Sequence, residues 1–289
     1  MPDALRTRRD RCPGVLRPWP ADDGLLVRLR LVGGRLPAHS LRALTTVAER
    51  HGDGRVHVTG RANLQLRALP GHEGDLDPEV LRALEHTGLL PSRTHELVRN
   101  IMVSPRTGTP THGRADLRPV ATALDAALRA APHRAALPGR FLFVLDDGTG
   151  DLLDRTCDLG IVALDAHTFQ LRIGDGWGPT APLEEAATLL VDLADDFLSL
   201  RGEGPTAPWH VTELPTPLTA PAPRDPRVPE PAPPLPYGPL PDGGRHVPVG
   251  DAGLGRSDSE ALVEAALTAA TDELVVTPWR GVLVPGRAR

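Results

Sequence analysis

Arginine side chains in or beside apolar, strand-like segments are the residues of this sequence best suited to bind a ligand. All 32 basic residues are arginine, so the guanidinium group is the permanent cation available to hold an anion. Arginines in this setting are Arg28, Arg30, Arg61, Arg99, Arg140 and Arg280. If the strands that carry them converge, the clustered charge needs a polyanionic ligand. Because neither a GxGxxG nor a GxxxxGK[ST] motif is present, a polycarboxylate is favoured over a nucleotide.

The segment 54–69, GRVHVTGRANLQLRAL, interrupts a strand-like alternation with polar residues. Its apolar positions predict a strand, yet Thr59, Arg61, Asn63 and Gln65 lie at its centre. An arginine at a strand end is usually solvated or paired with a carboxylate, and the sequence leaves that alternative open. The recurrence of arginine in such segments favours a role in binding.

The elements around this segment predict an α+β unit. Residues 24–31, GLLVRLRL, alternate as a strand, and residues 37–52 have the apolar spacing of a helix that ends at Gly52. The quoted segment follows, and a second helix is predicted over 77–88. This β-α-β-α order within a short stretch is typical of a ferredoxin-like half-domain.

A faint internal repeat extends this prediction to the end of the chain. The first-half segment that contains Val58-Thr59 and Arg61 is similar to residues 252–284, which contain Val276-Thr277 and Arg280. In both, a turn with glycine and arginine leads into a helix and then into an apolar strand that ends in Val-Thr. The repeat predicts a duplicated half-domain in which Arg280 does the work of Arg61, with chance similarity of two β-α-β units as the alternative.

The bulk properties exclude several classes of function. A net charge of −5 gives no reason to expect binding to nucleic acid or to a membrane surface. The N-terminal segment has no apolar core of a signal peptide, and no run approaches a membrane span. The sequence therefore predicts a cytoplasmic protein without nucleic-acid or membrane partners.

Five segments, in order, resemble the nitrite and sulfite reductases that contain sirohaem. VTGRANLQL is similar to that family's Thr-x-Arg-x-x-x-Gln strand, VRNIMVSPRTG to its Arg-Asn segment, VRLRLVGG to its opening strand, and LPGRFLFVLDDG to its Leu-Pro-x-Lys/Arg-Phe strand. VVTPWRGVLVPG and the opening DRCPGVLRPWPADDGLLVRLR are similar to the precorrin-3B synthase branch, which acts in cobalamin biosynthesis. The resemblance implies an α+β fold of ferredoxin-like half-domains of the nitrite/sulfite reductase type, duplicated with pseudo-two-fold symmetry, with the second half incomplete.

The resemblance also implies a ligand, site residues and a domain order. The ligand would be sirohaem or a related tetrapyrrole such as a precorrin. Catalytic roles would fall to Arg28, Arg99 and Arg140, and cofactor binding to Arg30, Thr59, Arg61, Asn63, Gln65, Asn100 and Arg280, with no metal-ligating residue. The expected order is an N-terminal arm (1–20), a first ferredoxin-like half-domain (21–90), a tetrapyrrole-binding α+β domain (91–204), a Pro-rich linker (205–241) and a partial second half-domain (242–289).

The cysteines depart from the family pattern. Its redox members hold a [4Fe–4S] cluster through four cysteines, whereas this sequence has two, Cys12 and Cys157, in no CxxC pattern. Three alternatives remain: a precorrin-3B synthase-like oxidoreductase that has been cut short, a non-catalytic tetrapyrrole-binding or partner protein that lost the cluster, or a nitrite/sulfite reductase-like enzyme. A protein partner would then supply the redox centre or the missing half.

Other polar motifs have simpler interpretations. The spacing of His51, His57, His72, His86, His95 and His112 fits no metal-binding pattern, and they are expected to be scattered surface or capping residues. Asp146-Asp147-Gly148 is predicted to form a β-turn. The segment 205–241 has 14 prolines and predicts an extended linker without a core of its own, with a ligand for a binding partner as the alternative.

Overall fold

The computed structural model describes residue 10 and residues 12–110, 112–204 and 206–286. These residues divide into two units. The duplicated unit combines Pro13–Glu96 with the chain from residue 234 onward, and the inserted unit holds residues 97–233 together with residues 10 and 12. Residues 1–9 and 11 of the predicted N-terminal arm lie outside the described residues.

Five α-helices and sixteen strands make up these units within the described residues. The first segment of the duplicated unit contains β1 Trp19–Ala21, β2 Gly24–Leu29, β3 Arg35–Pro37, α1 Ala38–His51, β4 His57–Val58, β5 Leu64–Leu69, β6 Gly71–His72, β7 Asp75–Leu76 and α2 Pro78–His86. The inserted unit contains β8 Ile101–Val103, α3 Arg118–Ala130, β9 Phe143–Asp146, β10 Leu159–Ala163, β11 Thr168–Ile173, β12 Gly176–Pro182 and α4 Ala186–Arg201. The last segment contains β13 Gly238–Pro239, β14 Arg245–Pro248, α5 Arg256–Thr268, β15 Glu273–Thr277 and β16 Gly281–Val284.

The duplicated unit contains two copies of one topology. In each copy a strand leads to a helix and then to a hairpin, and the second hairpin strand lies in the middle of its sheet. The strand orders are β1-β2-β5-β4 in the first copy and β13-β14-β16-β15-β3 in the second. The predicted duplication of ferredoxin-like halves is confirmed. Among the described residues, the second copy has no counterpart of α2.

The two copies share one core. Strand β3 of the first copy pairs antiparallel with β15 of the second, with Leu36 opposite Leu274. Helices α1 and α5 pack against each other. Buried Leu44 of α1 and Val276 of β15 belong to the same apolar cluster. Because burial of these side chains removes apolar area from water, neither copy has a complete core alone.

The inserted unit is built on a mixed sheet of order β12-β11-β10-β9-β8. Strands β8, β9 and β10 are parallel to one another, whereas β10, β11 and β12 form an antiparallel meander. The burial of all four residues of Phe143–Asp146 reflects a central position in the sheet. Helices α3 and α4 pack against each other beside this sheet.

The Pro-rich segment differs from the predicted linker. Residues 206–233 belong to the inserted unit and are bonded to its meander. Gln170, which is 1% exposed, donates from Nε2 to Pro223 O at 2.8 Å and accepts from Asp225 N at 2.8 Å. Ala222 N also donates to Trp177 O at 2.9 Å. An extended segment without internal hydrogen bonds leaves its backbone N–H and C=O groups free to bond with other parts of the protein. Here the buried side-chain amide of Gln170 bonds with two of them.

The described part of the predicted arm is held in place by a carboxylate. The backbone N–H groups of Val15 and Leu16 donate to Glu96 oxygens at 2.6 and 2.8 Å. Burial raises the pKa of Glu96, and these two hydrogen bonds oppose the rise. None of the helices in the described residues is both long enough and apolar enough to span a membrane.

Candidate functional site

A row of polar side chains crosses the first-copy sheet of the duplicated unit. Arg28 on β2 lies directly opposite Gln65 on β5, and Gln65 lies directly opposite His57 on β4. Residues opposite each other in antiparallel strands point to the same face. Arg28 Nη2 donates to Gln65 Oε1 at 3.4 Å. The neighbouring residues of these strands, such as Leu66, point to the apolar core. The polar residues at the centre of this strand pattern therefore form one wall of a site.

A tight turn between β4 and β5 presents Arg61 beside this row. Thr59 N donates to Asn63 O at 2.9 Å, and Asn63 N donates to Thr59 Oγ1 at 3.2 Å. Ala62 closes the turn with a φ of 55°. Asn63 is 2% exposed, and its Oδ1 accepts from Leu31 N at 2.9 Å. Asn63 thus fixes the turn.

The second copy repeats this turn between β15 and β16. Gly281 N donates to Thr277 Oγ1 at 3.2 Å, and Arg280 has a φ of 57°. By hydrogen bonding and φ, Thr277 matches Thr59 and Arg280 matches Ala62. The position that corresponds to Arg61 is Trp279. The predicted equivalence of Arg61 and Arg280 is therefore displaced by one residue.

A buried histidine supports the second turn. His246 is 0% exposed, and its Nε2 lies 2.9 Å from Thr277 Oγ1 while its Nδ1 lies 3.1 Å from Leu235 O. Burial lowers the pKa of His246, which favours the neutral ring. The neutral ring can donate from Nδ1 to the carbonyl and accept at Nε2 from the hydroxyl. A side chain at Gly281 would overlap the imidazole, so glycine is required there.

Both copies line one cavity of about 640 Å³ in the duplicated unit. This volume is in the range of small-molecule and cofactor sites. Its lining residues are Arg28, Asp53, His57, Val58, Thr59, Gly60, Arg61, Gln65, Arg67, Gly250, Asp251 and Arg280. Four arginines thus face two carboxylates. Such a wall can bind an anionic ligand through charge-assisted hydrogen bonds.

Some charges of this wall pair with one another. Arg280 Nη1 donates to Asp251 Oδ1 at 2.8 Å, with both side chains largely exposed. His57 Nε2 lies 2.6 Å from Asp53 Oδ2. Exposed ion pairs contribute little free energy, so a ligand with several acid groups can compete for Arg280.

The predicted site residues fall into three groups. Arg28, Thr59, Arg61, Gln65 and Arg280 line the cavity. Arg30 and Asn63 lie in the same unit but do not line it. Arg30 is 3% exposed, and its Nη1 donates to Pro13 O at 3.2 Å.

The third group belongs to the inserted unit. Arg99 is buried and donates from Nε to Asp125 Oδ1 at 2.5 Å. Asn100 Nδ2 donates to Leu97 O at 3.0 Å and to Gly139 O at 2.9 Å. The guanidinium of Arg140 lies 5.3 Å from the ring centre of Trp209. In this structure Arg99 and Asn100 support the unit that holds them.

The sequence interpretation missed several lining residues. His57, which the sequence predicts to be a scattered surface or capping residue, lines the cavity, as do Asp53, Arg67 and Asp251. The alternation of Val56, His57 and Val58 was the available signal for His57, because it places the histidine on the polar face of β4. Asp251 lies close to Arg280 only through the fold.

Three carboxylates of the inserted unit, two of them buried and one half-buried, form the group in the described residues whose geometry could take a cation. One oxygen from each of Asp146, Asp147 and Asp151 lies within 4.8 Å of the others. Asp146 instead accepts backbone hydrogen bonds from Gly148, Gly150 and Leu152 at 2.9, 2.9 and 3.0 Å. Both oxygens of Asp146 are used in this way, which is how a carboxylate organises a tight loop.

The residues present fit a polycarboxylate ligand but not an iron–sulfur cluster. A cluster needs four thiolate ligands, and the 289 residues contain two cysteines. Burial raises the pKa of Cys157 to about 12, so its thiol stays protonated at neutral pH. The cavity, by contrast, is lined by guanidinium, amide and hydroxyl groups, which can form hydrogen bonds with carboxylates.

Comparison with known proteins shows what the chain is similar to in sequence. The family model described as the nitrite/sulfite reductase ferredoxin-like half domain matches residues 20–85. Over 141 residues the chain is 36% identical to a precorrin-3B synthase from Sinorhizobium sp.. These residues make up 49% of this chain and 29% of that protein. The chain thus spans less than a third of that relative.

A solved structure shows the same fold. The NirA protein of Mycobacterium tuberculosis superposes with a TM-score of 0.63 and 18% sequence identity, over 94% of this chain and 58% of that one. The resemblance drawn from the sequence motifs is thereby confirmed. Residues 20–85 match the model of the nitrite/sulfite reductase ferredoxin-like half domain, and the chain has the α+β fold of the NirA protein.

Proposed function

We propose that the cavity of the duplicated unit binds the acid groups of a tetrapyrrole, and that the chain is a precorrin-3B synthase-like protein of cobalamin biosynthesis. The observation that carries the proposal is the meeting of Arg28 and Arg61 of the first copy with Arg280 of the second in one cavity. Tetrapyrroles of this pathway carry many carboxylates, and guanidinium groups bind carboxylates in bidentate fashion. The similarity to precorrin-3B synthase supports the choice of ring.

The chain's own residues would hold the ligand in a defined way. Arg61 sits on a turn fixed by Thr59 and Asn63, so little backbone freedom is lost when it binds. Gln65 and Arg28 lie directly opposite each other along the wall. If the tetrapyrrole is sirohaem, its iron supplies the redox chemistry typical of the family.

A titration with uroporphyrin, a tetrapyrrole with eight carboxylates, tests this proposal. Arg61→Ala should weaken binding by about 10- to 100-fold, because a hydrogen bond to a charged group contributes roughly 1.5–3 kcal/mol. Fluorescence of the porphyrin reports binding. Arg82→Ala is the matched control, since Arg82 is exposed on α2 and does not line the cavity. Equal affinities of the wild type and the Arg61→Ala variant would overturn the proposal.

A second candidate is a non-catalytic tetrapyrrole-binding or partner protein. The two-cysteine composition favours it, because the chain cannot by itself ligate a [4Fe–4S] cluster. Absorption spectra of anaerobically purified protein distinguish the two. A tetrapyrrole band together with cluster absorbance, the cluster being contributed by a partner, supports an oxidoreductase. A tetrapyrrole band alone supports the non-catalytic role.

A further inference from the structure

The end of the Pro-rich segment is fixed to the second copy of the duplicated unit. Residues 234–237 belong to that unit and precede β13. Leu235 packs against a buried apolar cluster that includes Val275 of β15. The carbonyl oxygens of Leu235 and Pro236 lie 3.1 and 3.2 Å from Nδ1 of buried His246 on β14. Apolar and polar contacts therefore both hold this part of the chain in place.

Tyr237 connects this segment to the turn between β15 and β16. Its ring packs on the imidazole of His246, with 4.6 Å between the ring centres. Its hydroxyl donates a hydrogen bond to the backbone carbonyl of Trp279. Because Tyr237 is 50% exposed, removal of this hydroxyl opens no cavity in the core. The contact with Trp279 can therefore be tested without disturbing the packing of the unit.

Both peptide groups that flank Arg280 are held by hydrogen bonds. In the group before it, the Trp279 carbonyl accepts from Tyr237, and Arg280 N donates to Thr277 O at 3.2 Å. In the group after it, the Arg280 carbonyl accepts from Val249 N at 2.9 Å. Because peptide groups are planar, holding these two planes holds φ and ψ of Arg280. Its φ of 57° is rare for a residue other than glycine, so the turn needs such contacts to keep it.

We propose that Tyr237 is a positioning residue of the ligand site, whose hydroxyl holds the backbone conformation that directs Arg280 into the cavity. This inference rests on the proposed function and gives the end of the Pro-rich segment a role in the same site. Arg280 lines the cavity. Without the hydroxyl, the peptide group before Arg280 loses one of its two hydrogen bonds, and the guanidinium samples more directions. A ligand that binds it must then restore the order, at a cost in affinity.

A double-mutant cycle followed by titration with uroporphyrin tests this positioning. Tyr237→Phe keeps the ring against His246 and removes the hydroxyl alone. It should weaken binding by about two- to tenfold, the size of one neutral hydrogen bond. In an Arg280→Ala background the same change should cost nothing further, whereas in an Arg61→Ala background it should cost the full factor. A role in general stability would weaken binding equally in both backgrounds.

Thr271→Val is the matched control. It removes a hydroxyl that likewise donates to backbone carbonyls of the second copy, Ala266 O at 3.3 Å and Glu273 O at 3.2 Å, and Thr271 does not line the cavity. Its affinity should equal that of the wild type.

The outcomes separate this inference from the proposed function. Wild-type affinity of Tyr237→Phe or of Arg280→Ala overturns the positioning role, and so does an equal loss in the two backgrounds. Weakened binding by Arg61→Ala would still support the cavity in each of these cases. Absence of uroporphyrin binding to the wild type overturns both.

Discussion

At the scale of single residues, the partner of an arginine decides its use. Arg99 is enclosed with Asp125 in the inserted unit, and a buried ion pair of this kind is costly to break. Arg280 is paired with Asp251 at an exposed position, where the pair contributes little. The same residue type thus stabilises the fold in one place and remains accessible to a ligand in another.

The buried carboxylates of the inserted unit give a pH dependence to stability. Burial, followed by repulsion from Asp146 and Asp147, raises the pKa of Asp151 from 3.8 to about 7. Between these values the folded chain keeps a proton that the unfolded chain releases. The free energy of unfolding should therefore fall as the pH rises from about 4 to about 7.

Asp151→Asn should remove this part of the dependence. At pH 8 the variant should be more stable than the wild type by roughly 1–3 kcal/mol, measured by urea unfolding. The amide can still accept the hydrogen bond that Ser104 Oγ gives to Asp151 Oδ1 at 2.6 Å. Asp154→Asn is the control, because that carboxylate is 55% exposed. If both variants have the same pH profile as wild type, Asp151 does not hold the proton.

At the scale of elements, the two equivalent turns show how a hairpin can aim a side chain. Both use a threonine hydroxyl to accept a backbone hydrogen bond from the residue four positions later. In both turns the residue three positions after the threonine, Ala62 or Arg280, has a positive φ. Residues other than glycine rarely adopt this conformation. The surrounding hydrogen bonds, including that of buried Asn63, compensate for this strain.

Close packing between the two copies depends on Gly34. It has a φ of 71°, and a side chain there would overlap the carbonyl oxygen of Val276 on β15. Gly34→Ala should lower the free energy of unfolding by about 3 kcal/mol or more, because β15 must move. Urea unfolding followed by circular dichroism measures the loss.

Gly54 provides the control for this substitution. Its φ of 77° is similar, but no atom lies within 4 Å of an added side chain. Gly54→Ala should cost only the conformational strain, about 1 kcal/mol. If Gly34→Ala costs no more than Gly54→Ala, contact between the copies at this point is not tight.

At the scale of the whole molecule, the cavity is cationic in a protein of net charge −5. Four arginines and two aspartates line it, so the local field opposes the overall charge. The duplication achieves this, because each copy contributes a turn and an arginine to one wall. A ligand that spans the wall contacts both copies.

The joint use of both copies can be measured with a double variant. Arg61→Ala and Arg280→Ala should each weaken uroporphyrin binding, and the double variant should lose roughly the product of the two factors, as expected for separate contacts. Added salt should weaken wild-type binding more than that of the double variant, because the variant makes fewer ionic contacts. An Arg280→Ala protein with wild-type affinity would confine the ligand to the first copy.

Much of the fold could be predicted from local patterns. The helix at 37–52 corresponds to α1 Ala38–His51, and the strand at 24–31 corresponds to β2 Gly24–Leu29. The repeat correctly indicated the duplication, because each copy carries its own pattern. The equivalence within the repeat was displaced by one residue, since only the hydrogen bonds of the turns fix which positions correspond.

By itself, the sequence determined the elements, the duplication and the supply of arginine, since periodicity and residue type are local properties. Only the tertiary structure decided which arginines face one cavity, because that depends on the register between strands far apart in the chain. Arg28 faces Gln65 across the sheet, whereas Arg30, two residues later, is buried against Pro13. The Pro-rich segment likewise gains a partner in Gln170. Such contacts are selected by burial and hydrogen bonding between residues that lie far apart in the sequence. A local sequence pattern does not contain this information.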